Sequence, residues 1–163
     1  MKEFTITALV KECQPEELDI KDRQLIDAAK EATYSAYAPY SNFRVGAAIL
    51  LDNGKIIRGS NQENAAYPSG LCAERTAAFY ASSSNPGVAM RKIAIAAWQD
   101  PGEDKKHEDG FQAQPVSPCG GCRQALAEYE HLYGDIEVIL YGKDKTYIFP
   151  SVKSLLPLCF VSF

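Results

Sequence analysis

Between residues 44 and 58 the chain carries two apolar runs separated only by Asp52-Asn53-Gly54. Asn-Gly supplies the positive-φ positions of a tight turn, and flanked by alternating apolar residues it strongly signals a hairpin. The expected strands cover residues 44–51 and 55–58. Downstream, segments of helical period alternate with short β-rich runs. Helices are expected at 72–83 and 119–131, and strands at 93–98, 136–141 and 146–149. Ser84-Asn85-Pro86-Gly87 breaks the first of these helices, and Ser151 stands where it can cap a short one over 152–156. Upstream, Leu25, Ile26, Ala29, Ala32 and Ala36 fall at helical spacing within 20–37, ahead of Pro39. Residues 4–10 alternate weakly as a strand, and the polar stretch 99–115 reads as a solvated loop. A hairpin followed by alternating helices and strands predicts an α/β fold, a three-layer α/β/α sandwich around a mixed central sheet. No stretch reads as a linker, so 163 residues are expected to form one domain over 1–163.

Charge narrows the partners. The formal net charge is -4, whereas a surface that tracks phosphate backbones is usually basic, so a nucleic-acid polymer is not expected as partner. The longest apolar runs, 47–51 and 155–163, are too short to span a bilayer. Residues 1–10 do not resemble a signal peptide. Cys13, Cys72, Cys119, Cys122 and Cys159 make an odd count, a poor disulfide framework that suits a cytoplasmic, reducing setting with thiols free or bound to metal.

Three of these cysteines carry chemistry. Cys119-Gly120-Gly121-Cys122 has the spacing with which two thiolates grip one zinc ion, and Cys72, in Cys72-Ala73-Glu74, can supply a third. Both pieces fall at expected helix N-termini, whose dipoles lower thiol pKa values and offset the charge of a three-thiolate centre. Arg75 and Arg123 each follow a motif by one residue and are placed to donate to sulfur. With three ligands a zinc ion keeps a position for water, and it lowers the pKa of that water toward neutrality. Glu74, two residues beyond Cys72, can then move protons. On spacing alone a structural zinc site is an even alternative, with a fourth ligand from His107, His131, Cys13 or Cys159. Glu74 alone would equally be an acid complementing a helix dipole, and Arg75 a solvated charge.

The flanking residues resolve this. Cys72-Ala73-Glu74-Arg75-Thr76-Ala77 and Pro118-Cys119-Gly120-Gly121-Cys122-Arg123-Gln124 resemble the two zinc motifs of the cytidine deaminase family. They are similar to its smaller, homotetrameric branch, in which cysteine replaces the histidine ligand of other zinc deaminases. Tyr40-Ser41-Asn42-Phe43-Arg44-Val45-Gly46-Ala47 and Gly59-Ser60-Asn61-Gln62-Glu63-Asn64-Ala65-Ala66-Tyr67 agree as well, and the family order covers roughly residues 25–160. The resemblance implies one zinc ion (Zn2+) per chain held by Cys72, Cys119 and Cys122. It implies that an activated water adds to C4 of a cytosine ring, with Glu74 delivering the water's proton to N3 and later protonating the departing amine. It implies Asn61 and Glu63 on the sugar, chiefly its 3′-hydroxyl, and Phe43 packed on the pyrimidine. The backbone of Ala73 and the carbonyl of Ser117 would read the base edge. Tyr67 and Phe160 would reach a neighbouring subunit's site, implying a homotetramer. The substrates implied are the nucleosides cytidine and deoxycytidine, in pyrimidine salvage.

Taken singly, Phe43 could be core, Asn61 and Glu63 loop polars, and Phe160 a lid on the core. Residues 1–19 and the loop 99–115 look longer than is usual in the family, and the loop, which leads into the second motif, is expected near the pocket mouth. A deaminase of another cytosine-like ring would share Glu74 and the zinc but has little need of Asn61 and Glu63. A polynucleotide editor needs a basic surface. A purely structural zinc module needs four ligands and no adjacent acid.

Overall fold

A computed structural model describes residues 1–102 and 106–161. The strands and helices are, in chain order, β1 (Lys11–Cys13), α1 (Ile20–Ala32), β2 (Phe43–Leu51), β3 (Ile56–Ser60), α2 (Ala73–Ser84), β4 (Met90–Gln99), α3 (Gly120–Tyr133), β5 (Glu137–Tyr141) and β6 (Thr146–Phe149). The strands form one sheet in the order β1-β6-β5-β4-β2-β3. The β4–β5 pair is parallel and the other neighbours are antiparallel, so the sheet is mixed, as the alternation of elements predicts. The parallel pair needs a crossover, which α3 supplies.

The central strands bury both faces. Along β4, Ile93 and Ile95 join a core with Ala77, Ala81, Leu126 and Ala127 of α2 and α3. The intervening Ala94 and Ala96 join a second core with Leu25, Ile26 and Ala29 of α1. This period-two division makes the three layers, α1 on one face and α2 with α3 on the other. Each fully buried Ile or Leu contributes roughly 1.5–3 kcal/mol.

The helices lie unusually close to the hairpin because two adjacent strands present glycine. A Cβ on Gly46 would stand 2.0 Å from the Ala29 carbonyl oxygen of α1, and one on Gly59 2.4 Å from the Ala77 nitrogen of α2. Gly59 pairs with Ala47, next to the Gly46–Ser60 pair, so both approaches occur at one point of the β2–β3 ladder. The turn between the strands uses Gly54 at φ 82, as Asn-Gly predicts.

Four expectations are corrected. Residues 4–10 form no strand; pairing with β6 begins at Lys11, and Phe4, Ile6, Leu9 and Val10 are exposed. β6 spans only Thr146–Phe149, too short a template for a longer partner. α1 ends at Ala32 and tightens into a 3-10 turn at Thr33–Ser35, where the Thr33 and Ser35 hydroxyls donate to the Lys30 and Ala32 carbonyls (2.7 and 3.0 Å). Ser151 does not cap the terminal helix, which is a single 3-10 turn at Val152–Ser154; the Glu130 carboxylate accepts its first amides instead.

The fourth correction concerns the loop 99–115, of which residues 103–105 lie outside those described. Most of its described residues are exposed, as expected, but it is also anchored. Phe111 is 2% exposed in the α1-side core, Trp98 Nε1 donates to the His107 carbonyl at 2.9 Å, and the His107 ring stacks between Tyr34 and Trp98. Phe111 and His107 thus attach the loop to the α1 layer, opposite α2 and α3.

Placing a methyl group at Gly59 forces α2 off the sheet. Gly59→Ala is expected to destabilise the fold by about 3 kcal/mol, read as a lower denaturant midpoint at unchanged slope.

Candidate active site

The N-termini of α2 and α3 converge. Cys72 occupies the N-cap of α2 and Cys119 that of α3, both in extended backbone, and Cys122 lies in the first turn of α3, fully buried. The sulfurs of Cys72 and Cys119 are 3.7 Å apart, and those of Cys119 and Cys122 3.4 Å. Tetrahedral zinc–thiolate bonds imply sulfur–sulfur edges of about 3.8 Å, so the three side chains fit one ion. All three ligand atoms lie within 4.8 Å of one another, and among the described residues no His, Asp, Glu or further Cys belongs to the group. His107 and His131, weighed in sequence as fourth ligands, are elsewhere: one stacks on Trp98, the other is exposed at the end of α3.

Burial and hydrogen bonding act differently on Cys119 and Cys122. Burial works against the Cys119 thiolate, but hydrogen bonds from the Cys122 amide and thiol and from Cys72 hold its pKa below the ordinary value. Burial, and then the nearby Glu74 charge, push the Cys122 thiol far up. A divalent cation between the sulfurs reverses that penalty and lets all three ionise. Arg75 contributes on one side, its Nη2 standing 3.6 Å from Cys72 Sγ. Arg123 does not donate to sulfur here: its Nε bonds the Pro118 carbonyl and its Nη1 the Leu155 carbonyl, each at 2.8 Å.

Glu74, in the first turn of α2, is only 4% exposed. Burial raises its carboxyl above the ordinary carboxylate range, against the opposing pull of its own amide, a hydrogen bond with Cys122 and the charge of Arg75. A buried carboxyl beside the thiols is placed to accept a proton and return it.

Beside the cysteines opens a cavity of about 530 Å³, walled by Tyr40, Ser41, Asn61, Glu63, Tyr67 and Arg75, with Cys72 at one side. Its size lies in the range of small-molecule pockets. Its wall is laced by backbone bonds: the Tyr37 amide donates to the Asn61 carbonyl and the Glu63 amide to the Tyr37 carbonyl, Gln62 and Leu71 exchange both backbone bonds, and the Asn61 amide ties the segment to the Val45 carbonyl of β2. The Asn61 side chain accepts from the Val45 amide at 2.8 Å and donates to the Phe43 carbonyl at 2.9 Å. The Glu63 carboxylate accepts from the Tyr40 amide (2.8 Å) and the Ser41 amide (3.3 Å) and hydroxyl (2.5 Å). Both residues line the cavity while fixing its frame.

Of the other residues singled out from sequence, Phe43 is half-buried at the start of β2, and Ala73 is fully buried as the first residue of α2. Ser117 is exposed on the approach to Cys119. Tyr67 is 78% exposed on the cavity rim, edge-on to Tyr40. Phe160 is 64% exposed and held by its backbone to Gln124, on the α3 side and not in the cavity wall. Sequence reasoning assigned no role to Ser41 or Tyr40, whose grip on Glu63 only tertiary contact creates. It also passed over Glu130, although an acid on the face that carries Cys122, Leu126 and Ala127 was a visible signal.

Comparison with known proteins agrees with this geometry. Residues 19–133 match the family model for the cytidine and deoxycytidylate deaminase zinc-binding region. A cytidine deaminase of Halalkalibacterium halodurans is 43% identical over 128 residues, covering 72% of this chain and 86% of the relative. One of Sporosarcina psychrophila is 42% identical, covering 74% and 85%. The crystal structure of cytidine deaminase from Burkholderia pseudomallei superposes with a TM-score of 0.69 at 38% identity, covering 85% of this chain and 98% of that one. Among the described residues no helix is long and apolar enough to cross a membrane.

The hydrogen bonds from Ser41 and the Tyr40 amide hold the Glu63 pKa below its ordinary value of 4.5. A depressed carboxyl pKa means the bonds are present above the unfolded value and are lost as pH falls through the folded one. The Tyr40 and Ser41 amide resonances are therefore expected to titrate with a midpoint below 4.5, and Ser41→Ala to move it upward. A midpoint at or above the ordinary value would remove the clamp.

Proposed function

Because the chain belongs to the cytidine and deoxycytidylate deaminase family, we propose that it hydrolyses cytidine and deoxycytidine to uridine and deoxyuridine with release of ammonia. The observation that carries this reading is a cluster of three thiols, not four, with the buried Glu74 against it and a nucleoside-sized cavity alongside. Cys72, Cys119 and Cys122 would hold one zinc ion per chain. Bound there, zinc supplies a water ionised near neutral pH. Glu74 would take a proton from the water that adds at C4 and give it to ring N3. It would then take the proton of the resulting C4 hydroxyl and give it to the amine, which leaves as ammonia as the C4 carbonyl forms, so that Glu74 serves as base and then acid. Burial raises its proton affinity above that of an ordinary carboxylate. Arg75 offsets thiolate charge beside Cys72.

Asn61 and Glu63 hold the ribose by its 3′-hydroxyl with a frame already tied to β2 and to Tyr40–Ser41, so little ordering is needed when substrate arrives. A site that grips the 3′- and not the 2′-hydroxyl accepts both nucleosides. Phe43 packs on the pyrimidine, while the Ala73 backbone and the Ser117 carbonyl read its polar edge. Tyr67 and Phe160, both exposed in the single chain, complete a neighbouring subunit's site in a homotetramer. The whole chain, 1–163, serves as one catalytic domain, in the cytoplasm and in pyrimidine salvage. The acidic balance of -4 supports a free nucleoside over a polymer.

Incubation with cytidine, followed by ultraviolet absorbance, is expected to show turnover, with deoxycytidine used at a rate within about tenfold. Glu74→Gln should keep its zinc yet lose roughly 10²–10⁴ in kcat. Cys72→Ser, Cys119→Ser or Cys122→Ser should each abolish zinc retention, whereas Cys13→Ser and Cys159→Ser leave it intact. One zinc per chain without turnover of either nucleoside would point to another cytosine-like ring, and full activity in Glu74→Gln would refute the proton shuttle.

A further inference from the structure

Glu130 is a buried carboxylate that the chemistry above does not use. It lies on α3 about two turns beyond Cys122, on the same face as Leu126 and Ala127, and is 1% exposed. An uncompensated charge there would be costly. Its oxygens instead accept three backbone amides, from Ile136 at 2.9 Å, Val152 at 2.7 Å and Lys153 at 3.0 Å. Lys153 Nζ stands 3.8 Å away and is shared with Asp135. Two of the three amides open the Val152–Ser154 turn, where the chain leaves the sheet and heads for Phe160.

The same segment is gripped from α3 at two further points. Arg123 donates Nη1 to the Leu155 carbonyl. The Gln124 side-chain amide donates to the Phe160 carbonyl and accepts from its amide at 3.3 Å. Every one of these bonds takes a backbone group of the segment, so they fix its path whatever side chains it carries. Arg123 also reaches the other way, through Nε to the Pro118 carbonyl, one residue before Cys119. Cys119 needs such a hold. It is exposed, so packing does not fix it, and the hydrogen bonds to its sulfur come only from Cys122 and Cys72, the other members of the cluster.

We infer that Glu130 and Arg123 are positioning residues that strap residues 152–160 along α3, and that the strap holds Pro118 and Cys119 where Cys119, Cys122 and Cys72 share one metal ion. Glu130 fixes the near end of the strap. The strap fixes the Leu155 carbonyl, that carbonyl orients the Arg123 guanidinium, and Arg123 sets the backbone entering the second cysteine pair. The inference rests on the zinc reading above.

Zinc release from the loaded protein into excess chelator, well below the unfolding temperature, tests it. Loss of hydrogen bonds beyond the ligands typically weakens a metal site about 10–100-fold. Glu130→Gln, whose NH2 cannot accept from the amides, is expected to speed release on the order of tenfold, as is Arg123→Lys, which cannot bridge both carbonyls. The double variant should release no faster than the quicker single one, because both cut the same strap. Ile26→Ala, in the opposite layer, lowers global stability and should leave release unchanged. Arg123→Lys buries no new group and keeps the test open if Glu130→Gln fails to fold. Equal acceleration in Ile26→Ala, or parental release in the strap variants that fold, overturns the inference. A parent that binds no zinc overturns the functional reading and the strap with it, whereas zinc-bound parent with indifferent strap variants overturns the strap alone.

Discussion

Three sulfur atoms held within 4.8 Å of one another, at two helix N-termini and beside a buried carboxyl, set the terms for this molecule. In the protein alone the thiols work against one another, Cys119 drawn toward ionisation and Cys122 pushed away from it. A cation at their centre removes that conflict, and the helix dipoles and Arg75 temper the negative charge it leaves. Glu74 depends on the same arrangement, since burial raises its proton affinity while its own amide, the hydrogen bond with Cys122 and the charge of Arg75 oppose that rise. The deaminase chemistry proposed for the chain turns on this one junction.

The fold brings the junction about by backbone proximity more than by side-chain packing. Gly59 lets α2 lie against β3, with the Ala73 carbonyl among the atoms a Cβ would strike, so the glycine sets where Cys72 and Glu74 begin their helix. Gly46 does the same for α1 on the other face. On the α3 side there is no equivalent close approach at Cys119. There the backbone is held by the Arg123 bonds to Pro118 and Leu155, and behind them by Glu130. The two halves of the centre are therefore supported by different physics, steric contact for α2 and hydrogen bonds for α3.

The pocket wall obeys an economy of its own. Asn61 and Glu63, the residues proposed to hold a sugar, spend part of their hydrogen-bonding capacity on the backbone of Phe43, Val45, Tyr40 and Ser41. Polar groups committed in this way are preorganised, and what remains of their capacity meets a ligand at little entropic cost. Loop 99–115, by contrast, joins the α1 layer through Phe111 and His107, and none of its described residues lines the cavity.

What the sequence determined by itself is the order of elements, the hairpin at Asn53-Gly54, the zinc-type spacing of Cys119 and Cys122, and the acid beside Cys72. All of these are local: a turn needs particular φ values, a helix a particular period, and a metal particular donors a few residues apart. The N-terminal alternation and the Ser151 cap failed, and the anchoring of loop 99–115 went unseen, because each depended on a distant partner. Residues 4–10 have no template strand beyond four-residue β6, Phe111 finds a core built by α1, and Glu130 reaches the Val152 amide before Ser151 does. Only the tertiary structure decided that Arg123 serves carbonyls and not sulfur, that Glu63 is clamped by Ser41, and that no fourth ligand joins the cysteines among the described residues. Such choices are made by whichever donor and acceptor come within about 3 Å when the layers close, and no spacing along the chain encodes that distance.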